Sequence, residues 1–397
     1  LAGELSLTGD LRPIRGTLPM AVAVHAAGRR LVVPAQSAGE AAVFPEVNAL
    51  AATHLGEVCL HLLGQSPLVR VEHRLPPATV WTGADFSDVR GQLEARRMLE
   101  IAAAGGHSAL MVGPPGAGKS MLATRMASIL PPLSSAEALD VAAVHALAAS
   151  FDPSNWGRRP VRAPHHSASA AALVGGGSGP RPGEISLAHH GVLFLDELAE
   201  FSRPVLEALR EPLETGRITL ARASRSIDFP ARFQLVAAMN PCSCGYLGDA
   251  RCRCSAEQVV RYQRRVSGPL IDRLDLLLTV QRPSEQDLLD RTQMEASDSI
   301  RARVEAAWAR QHPRQGGANA RLDAQGVARH CELGADSHAL LVAASQRLRW
   351  SARGVHRALR VARTIADLAG CDRIRREHLA EAIAYRRSPL DLGGAPP

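Results

Sequence analysis

One octapeptide restricts this chain to a narrow set of folds. Gly113-Pro114-Pro115-Gly116-Ala117-Gly118-Lys119-Ser120 fits the pattern GxxxxGK[ST] at every position. It follows the apolar run Ser108 to Val112 and precedes a helix-forming stretch, Lys119 to Leu130, closed by Pro131-Pro132. Such a loop works between a buried strand and a helix N-terminus. There, backbone N–H groups converge on phosphate oxygens and the helix dipole favours an anion. Lys119 is the single lysine among 46 basic side chains. A bias towards arginine explains the other 45 but not why the exception falls here. Arginine's wide planar fork cannot replace a compact ammonium held against a β,γ-phosphate.

The surrounding pattern completes the site. Residues 89–285 alternate apolar strands with helices, which predicts a parallel sheet covered by helices. The run Val192 to Leu195 ends in Asp196-Glu197, the Walker B arrangement. Asp196, with the Ser120 hydroxyl, suits Mg²⁺, and Glu197 suits orienting an attacking water. A third strand, Phe233 to Ala238, leads to Asn240, which either helps to position that water or simply forms a turn. The implied ligands are ATP and Mg²⁺.

Around this core the composition suggests further units. Residues 1–72 read as a small α/β unit in which Met20 to Ala27 is apolar enough for a buried helix. Residues 73–88, with Pro76-Pro77, read as a linker. Pro204 to Leu213 reads as helical, Gly216 to Pro230 as a β-hairpin turning near Ala223-Ser224, and the glycine-rich stretch Ala170 to Gly183 as a mobile loop. Residues 286–320 form a connecting helix with a Gln315-Gly316-Gly317 break, and residues 321–392 a small helical domain.

Bulk properties exclude some classes. No run of 18 apolar residues exists, so no membrane span is expected. Seven cysteines, four of them clustered, do not make a secreted disulfide framework in 397 residues, and a reducing cytoplasm is the natural compartment. The net charge of +7 permits contact with nucleic acid phosphates, although arginine-rich composition alone makes a protein basic. Aromatic residues at 4% leave little for base stacking.

Longer motifs carry a resemblance. Asp88-Val89-Arg90-Gly91-Gln92, the phosphate loop, Arg162-Ala163-Pro164-His165-His166, Gly183-Glu184-Ile185-Ser186-Leu187-Ala188-His189, the Walker B run, Leu209-Arg210-Glu211-Pro212-Leu213 and Ala238-Met239-Asn240-Pro241-Cys242 resemble the YifB/ComM family of magnesium-chelatase-like AAA+ ATPases. The resemblance spans nearly the whole chain. It implies an α/β AAA+ P-loop core with a parallel sheet, a C-terminal helical lid and a partial Lon-protease-like α/β N-terminal domain. Asn240 then matches sensor 1. Arg273 matches the arginine finger that reaches a neighbouring subunit's γ-phosphate. Arg353 matches sensor 2, with Arg357 as its rival. Val89 and Gln92 fall where the adenine pocket forms. The implied activity is that of a hexameric ATP-driven motor, a DNA branch-migration helicase in natural transformation. A chelatase-type motor subunit and a protein-remodelling ATPase are the alternatives.

Three features stand outside that core. The hairpin carries Arg217, Arg222 and Arg225, either a basic pore loop for DNA or a solvated charged hairpin. Cys242-x-Cys244 and Cys252-x-Cys254 could surround one tetrahedral Zn²⁺; CxC pairs depart from the usual CxxC, and reduced thiols or a redox pair are the alternatives. His165-His166 and His189-His190 read as polar contact residues before metal ligands. The segment from Gly3 to Ile14 resembles the second half of a Lon protease domain, whose serine-bearing half is expected upstream of Leu1. With its one lysine in the phosphate loop, this chain supplies no Ser–Lys dyad.

Overall fold

Continuous apolar runs of four to six residues suit strands that are covered on both faces. Five strands pair in parallel, four of them mostly apolar runs of four to six residues and one, at the sheet's edge, only two residues long: β1 (Ala109–Val112), β2 (Val161–Arg162), β3 (Val192–Leu195), β4 (Gln234–Met239) and β5 (Leu276–Thr279). The chain, a computed structural model, is described at residues 1–75, 83–177, 180–222, 225–289 and 294–386. The strand order is β5-β1-β4-β3-β2, with Ala109 of β1 opposite both Leu276 and Val236.

Alternation along the strands divides the interior into two cores. Met111, Phe194, Val236, Ala238 and Leu276 point to one face. The helices Leu93–Gly105, Ser297–Gln315 and Ala352–Leu368 cover it with Leu99, Ala102, Val304, Val361 and Ile365. Leu110, Leu193, Leu195, Leu235 and Ala237 point the other way, onto Leu173, Leu206, Leu209, Tyr262 and Leu270. The C-terminal helices therefore share the first core. Phe86, near the end of the stretch read as a linker, is fully buried in that core; residues 76–82 lie outside the described set.

Several local expectations need correction. The helix after the phosphate loop is α-helical over Lys119–Arg125 and tightens to a 3-10 turn over Met126–Ile129 before the prolines. Pro204 to Leu213 is two helices, Arg203–Ala208 and Arg210–Thr215, because Pro212 has no N–H to continue the first and is tolerated in the first turn of the second. The glycine-rich stretch is not a plain loop. It holds a helix, Ala170–Val174, and an antiparallel ribbon pairing Gly175–Gly176 with Arg181–Pro182. Gly175 has φ 102°, and a Cβ there would stand 2.3 Å from the Arg181 carbonyl. The N-terminal helix runs Thr17–Ala26 but buries only Thr17, Leu18 and Ala21; Met20 and Val22 are each 39% exposed, since one face alone meets Val33 and Phe44. The hairpin strands Arg217–Arg222 and Arg225–Pro230 pair as expected, with the turn outside the described residues.

A buried polar chain joins the lid to the sheet. His107 hydrogen-bonds Asp275 through Nδ1 (3.2 Å) and Thr364 of the lid through Nε2 (2.7 Å). Arg357 donates to Asp275 Oδ1 at 3.0 Å and to the Arg273 carbonyl at 2.6 Å. Burial alone would raise the Asp275 pKa. The His107 hydrogen bond and the charges of Arg357 and Arg386 instead hold it down to about 2. A pKa below the unfolded value of about 3.9 means that this stabilisation is complete at neutral pH and is lost as pH falls from about 4 through 2. Asp275→Asn is expected to lower stability by about 2 kcal/mol at pH 7 and to weaken the acid dependence in that window. Urea unfolding of both proteins at pH 7 and pH 3 measures this; parallel curves would refute it.

Candidate active site

Because the five strands are parallel, their carboxyl ends share one edge of the sheet, the usual seat of a ligand in such folds. The phosphate loop leaves β1 there. Lys119, 8% exposed, donates to the carbonyls of Gly113 (2.7 Å) and Pro114 (3.0 Å) and to Asn240 Oδ1 (3.2 Å). Burial pushes its pKa down, and the carboxylates of Asp196 and Glu197 counter that. Gly116 and Gly118 have φ of 77° and 82°, so the loop's curl needs glycine at both. The Ser120 hydroxyl hydrogen-bonds the Asp196 carboxylate at the end of β3. Lys119, Ser120, Asp196, Glu197 and Asn240, scattered over 122 positions, thus meet at one edge.

Glu197 adopts φ 53°, ψ 47°, a left-handed conformation that costs a non-glycine residue about 1–2 kcal/mol. Its N–H donates to Asp196 Oδ1 at 2.9 Å, and its carboxylate meets His166 Nδ1 at 2.9 Å. His166 follows β2, so it arrives at the same edge. Sequence reasoning saw the His165-His166 pair without this partner; the signal available was its position just past a strand end.

On the other flank, Gln92, also left-handed at φ 54°, donates to the carbonyls of Ala117 (3.1 Å) and Gln281 (2.6 Å). Val89 is buried beside it, its carbonyl accepting from Arg96 at 3.1 Å. Arg282, unremarked in the sequence, donates twice to the Pro115 carbonyl, at 2.9 and 2.7 Å.

The arginines lie elsewhere. Arg273 precedes β5, at the amino-terminal edge of the sheet. At about 3.3 Å per residue, β5 alone puts it about 10 Å from the opposite edge. Arg273 donates to Glu214 Oε1 (2.5 Å) and to the Pro269 carbonyl (2.6 Å). Arg353, whose side chain is 76% exposed, approaches the same Glu214 oxygen at 3.7 Å. Both line a cavity of about 650 Å³ with Arg232, Arg321 and Arg360. Arg357, the rival of Arg353, is engaged with Asp275.

The four clustered cysteines converge. Cys242 Sγ lies 3.4 Å from Cys244 Sγ and 4.0 Å from Cys252 Sγ; Cys244 and Cys252 are 3.6 Å apart. All four sulfurs, with Cys254, fall within 4.8 Å of one another. The N–H groups of Arg253 and Tyr246 point at Cys244 Sγ and hold its pKa down to about 6, while burial pushes Cys242 up to about 12. Asp140, His189 and His190 form a second cluster. There, the Arg232 N–H donates to His189 Nδ1 at 3.0 Å, which leaves Nε2 protonated in the neutral ring and unfit to bind metal.

Comparison with known proteins shows the family. Residues 85–288 match the family profile described as magnesium chelatase, subunit ChlI, and residues 294–386 match that of the ChlI C-terminal region. The YifB protein of Salmonella typhimurium is 46% identical over 391 residues, 97% of this chain and 76% of that protein. YifB of Escherichia coli is 46% identical over 392 residues, 97% of this chain and 76% of that protein. The competence protein ComM of Haemophilus influenzae is 45% identical over 391 residues, 96% of this chain and 76% of that protein.

The strained backbone at Glu197 yields a stability test. Glu197→Gly is expected to stabilise the fold by about 1 kcal/mol, because glycine accepts the left-handed conformation freely. Glu197→Ala keeps the strain and should not. Thermal unfolding of the two variants beside wild type measures the difference; equal midpoints would count against stored strain.

Proposed function

The chain belongs to the magnesium-chelatase family of AAA+ proteins, and from that premise we propose that it is a ring-forming motor that hydrolyses ATP. The observation that carries this reading is the convergence of Lys119, Ser120, Asp196, Glu197 and Asn240 on the carboxyl edge of the sheet. In this reading the glycine-rich loop from Gly113 through Pro114, Pro115, Gly116, Ala117 and Gly118 cradles the phosphates with its N–H groups, and the Lys119 ammonium leaves the loop carbonyls for the β,γ-oxygens. Val89 and Gln92 border the adenine. The adjoining oxygens of Ser120 and Asp196 are hard donors that fit Mg²⁺, which when bound supplies neutralisation of phosphate charge. Glu197 orients the attacking water and accepts its proton, Asn240 helps to hold that water, and His166 fixes the Glu197 carboxylate.

Hydrolysis in this scheme requires a second copy of the chain. Arg273 and Arg353 sit on the edge away from their own phosphate loop, and two guanidinium groups meeting one carboxylate make a ready receptor for an anion. We assign that anion as the γ-phosphate held by the neighbour in a hexamer. DNA is the proposed polymer, with recombination intermediates as the branched substrate. Supporting this are the net charge of +7, the exposed Arg217 at the root of the hairpin, and the relative named as a competence protein. The four cysteines are assigned a structural Zn²⁺. Zn–S bonds of about 2.3 Å put tetrahedral sulfurs about 3.8 Å apart, and the separations of 3.4, 3.6 and 4.0 Å among Cys242, Cys244 and Cys252 bracket that value.

Lys119→Ala is expected to abolish nucleotide binding. Glu197→Gln should keep binding and lose about 10²- to 10⁴-fold in kcat, and Arg273→Ala should lose about 10³-fold or more. Mixing the last two variants should restore activity, since an Arg273→Ala subunit offers an intact phosphate site to a neighbour with an intact arginine. A mixture no better than its parts would place the arginine in the wrong role. Forked or four-way DNA should stimulate turnover and be unwound. Turnover indifferent to DNA, with no strand displaced, defeats the DNA assignment, and stimulation by a porphyrin-binding partner would mark a chelatase-type motor.

A further inference from the structure

The cysteine knuckle, residues 242–254, is pressed against the phosphate loop. Gly245 has φ 83°, and a Cβ at that position would stand 2.6 Å from Pro115 Cδ and 2.7 Å from Cγ. Glycine is therefore demanded by both conformation and contact. The next residue, Tyr246, faces the Arg282 guanidinium at 5.4 Å from its ring centre, and Arg282 in turn holds the Pro115 carbonyl at 2.9 and 2.7 Å. On the other side, Asn240 accepts from Lys119 two residues before Cys242, and Gln263 holds the intervening Pro241 carbonyl at 3.1 Å. The knuckle has neither helix nor strand, and Cys242 is its one fully covered apolar residue. A segment this poor in core needs a cross-link to keep its shape. The Gly245 N–H closes the turn onto the Cys242 carbonyl at 3.0 Å, and the N–H groups of Tyr246 and Arg253 point at Cys244 Sγ. Such donors are the outer partners that thiolate ligands require.

We propose that zinc held by Cys242, Cys244, Cys252 and Cys254 braces the phosphate loop through Gly245 and Tyr246, so that nucleotide affinity follows zinc occupancy. This rests on the nucleotide and zinc assignments made above. Binding exchanges the protons still carried by the cysteine sulfurs for one Zn²⁺, with no change of oxidation state. The metal here acts at a distance from the phosphates, through the shape of the loop alone.

The test uses the full chain, with zinc measured by elemental analysis and nucleotide affinity by titration with a fluorescent ADP analogue. Wild type should carry one zinc per chain. The pair Cys252→Ser and Cys254→Ser should carry none and bind nucleotide about 10-fold or more weakly. Gly245→Ala guards against simple misfolding: it should keep its zinc and its circular dichroism yet lose affinity to a similar degree. Wild-type affinity in Gly245→Ala or in chelator-stripped protein overturns the brace, as does a wild type without zinc. Two outcomes separate this from the underlying reading. Zinc-loaded protein that binds no nucleotide sinks the ATPase assignment, whereas zinc-free protein whose binding depends on Lys119 sinks only the brace.

Discussion

Parallel pairing of five short strands is the constraint on which the rest depends. A parallel sheet gives its two edges different chemistry: carboxyl ends on one, amino ends on the other. The phosphate loop, Asp196, Glu197, His166 and Asn240 all follow strands and gather on the first edge. Arg273 precedes a strand and lies on the second. No loop rearrangement within one chain brings the two groups together. The proposed mechanism therefore assigns Arg273 to a neighbour's nucleotide rather than its own.

The same sheet explains how the lid is held. Residues alternating along β1, β3 and β4 feed two cores, and the lid helix Ala352–Leu368 belongs to one of them. Its polar anchor runs through Thr364 and His107 to Asp275, two residues after Arg273. Arg357, from the same helix, holds the Arg273 carbonyl. The lid helix and the backbone of Arg273 are therefore tied by direct hydrogen bonds.

Much of the site was legible in the sequence because its parts are short motifs fused to strand ends. Asp196, Glu197 and Asn240 each sit within two residues of a strand end, and Lys119 and Ser120 follow β1 across the six-residue loop 113–118, so their convergence follows from the sheet. His166 and Arg282 were not legible: each gains its partner, Glu197 or the Pro115 carbonyl, across the fold. The ribbon pairing Gly175–Gly176 with Arg181–Pro182 was missed because two glycines opposite an Arg-Pro pair leave no alternating side-chain pattern. The 3-10 turn at Met126–Ile129 and the break before Pro212 are matters of boundary, where helical propensity says little.

Glu214 has a consequence for the chain as a free subunit. Its carboxylate sits between Arg273 and Arg353, on an edge already crowded with Arg232, Arg321 and Arg360. Left bare, that cluster on a protein of charge +7 would be a sink for any stray polyanion. Glu214 acts as a placeholder, quenching the cluster locally while keeping both guanidinium groups spread and aimed. In the proposed assembly a neighbour's more highly charged phosphate displaces it, whereas a weaker anion gains little by trying, which keeps the edge selective.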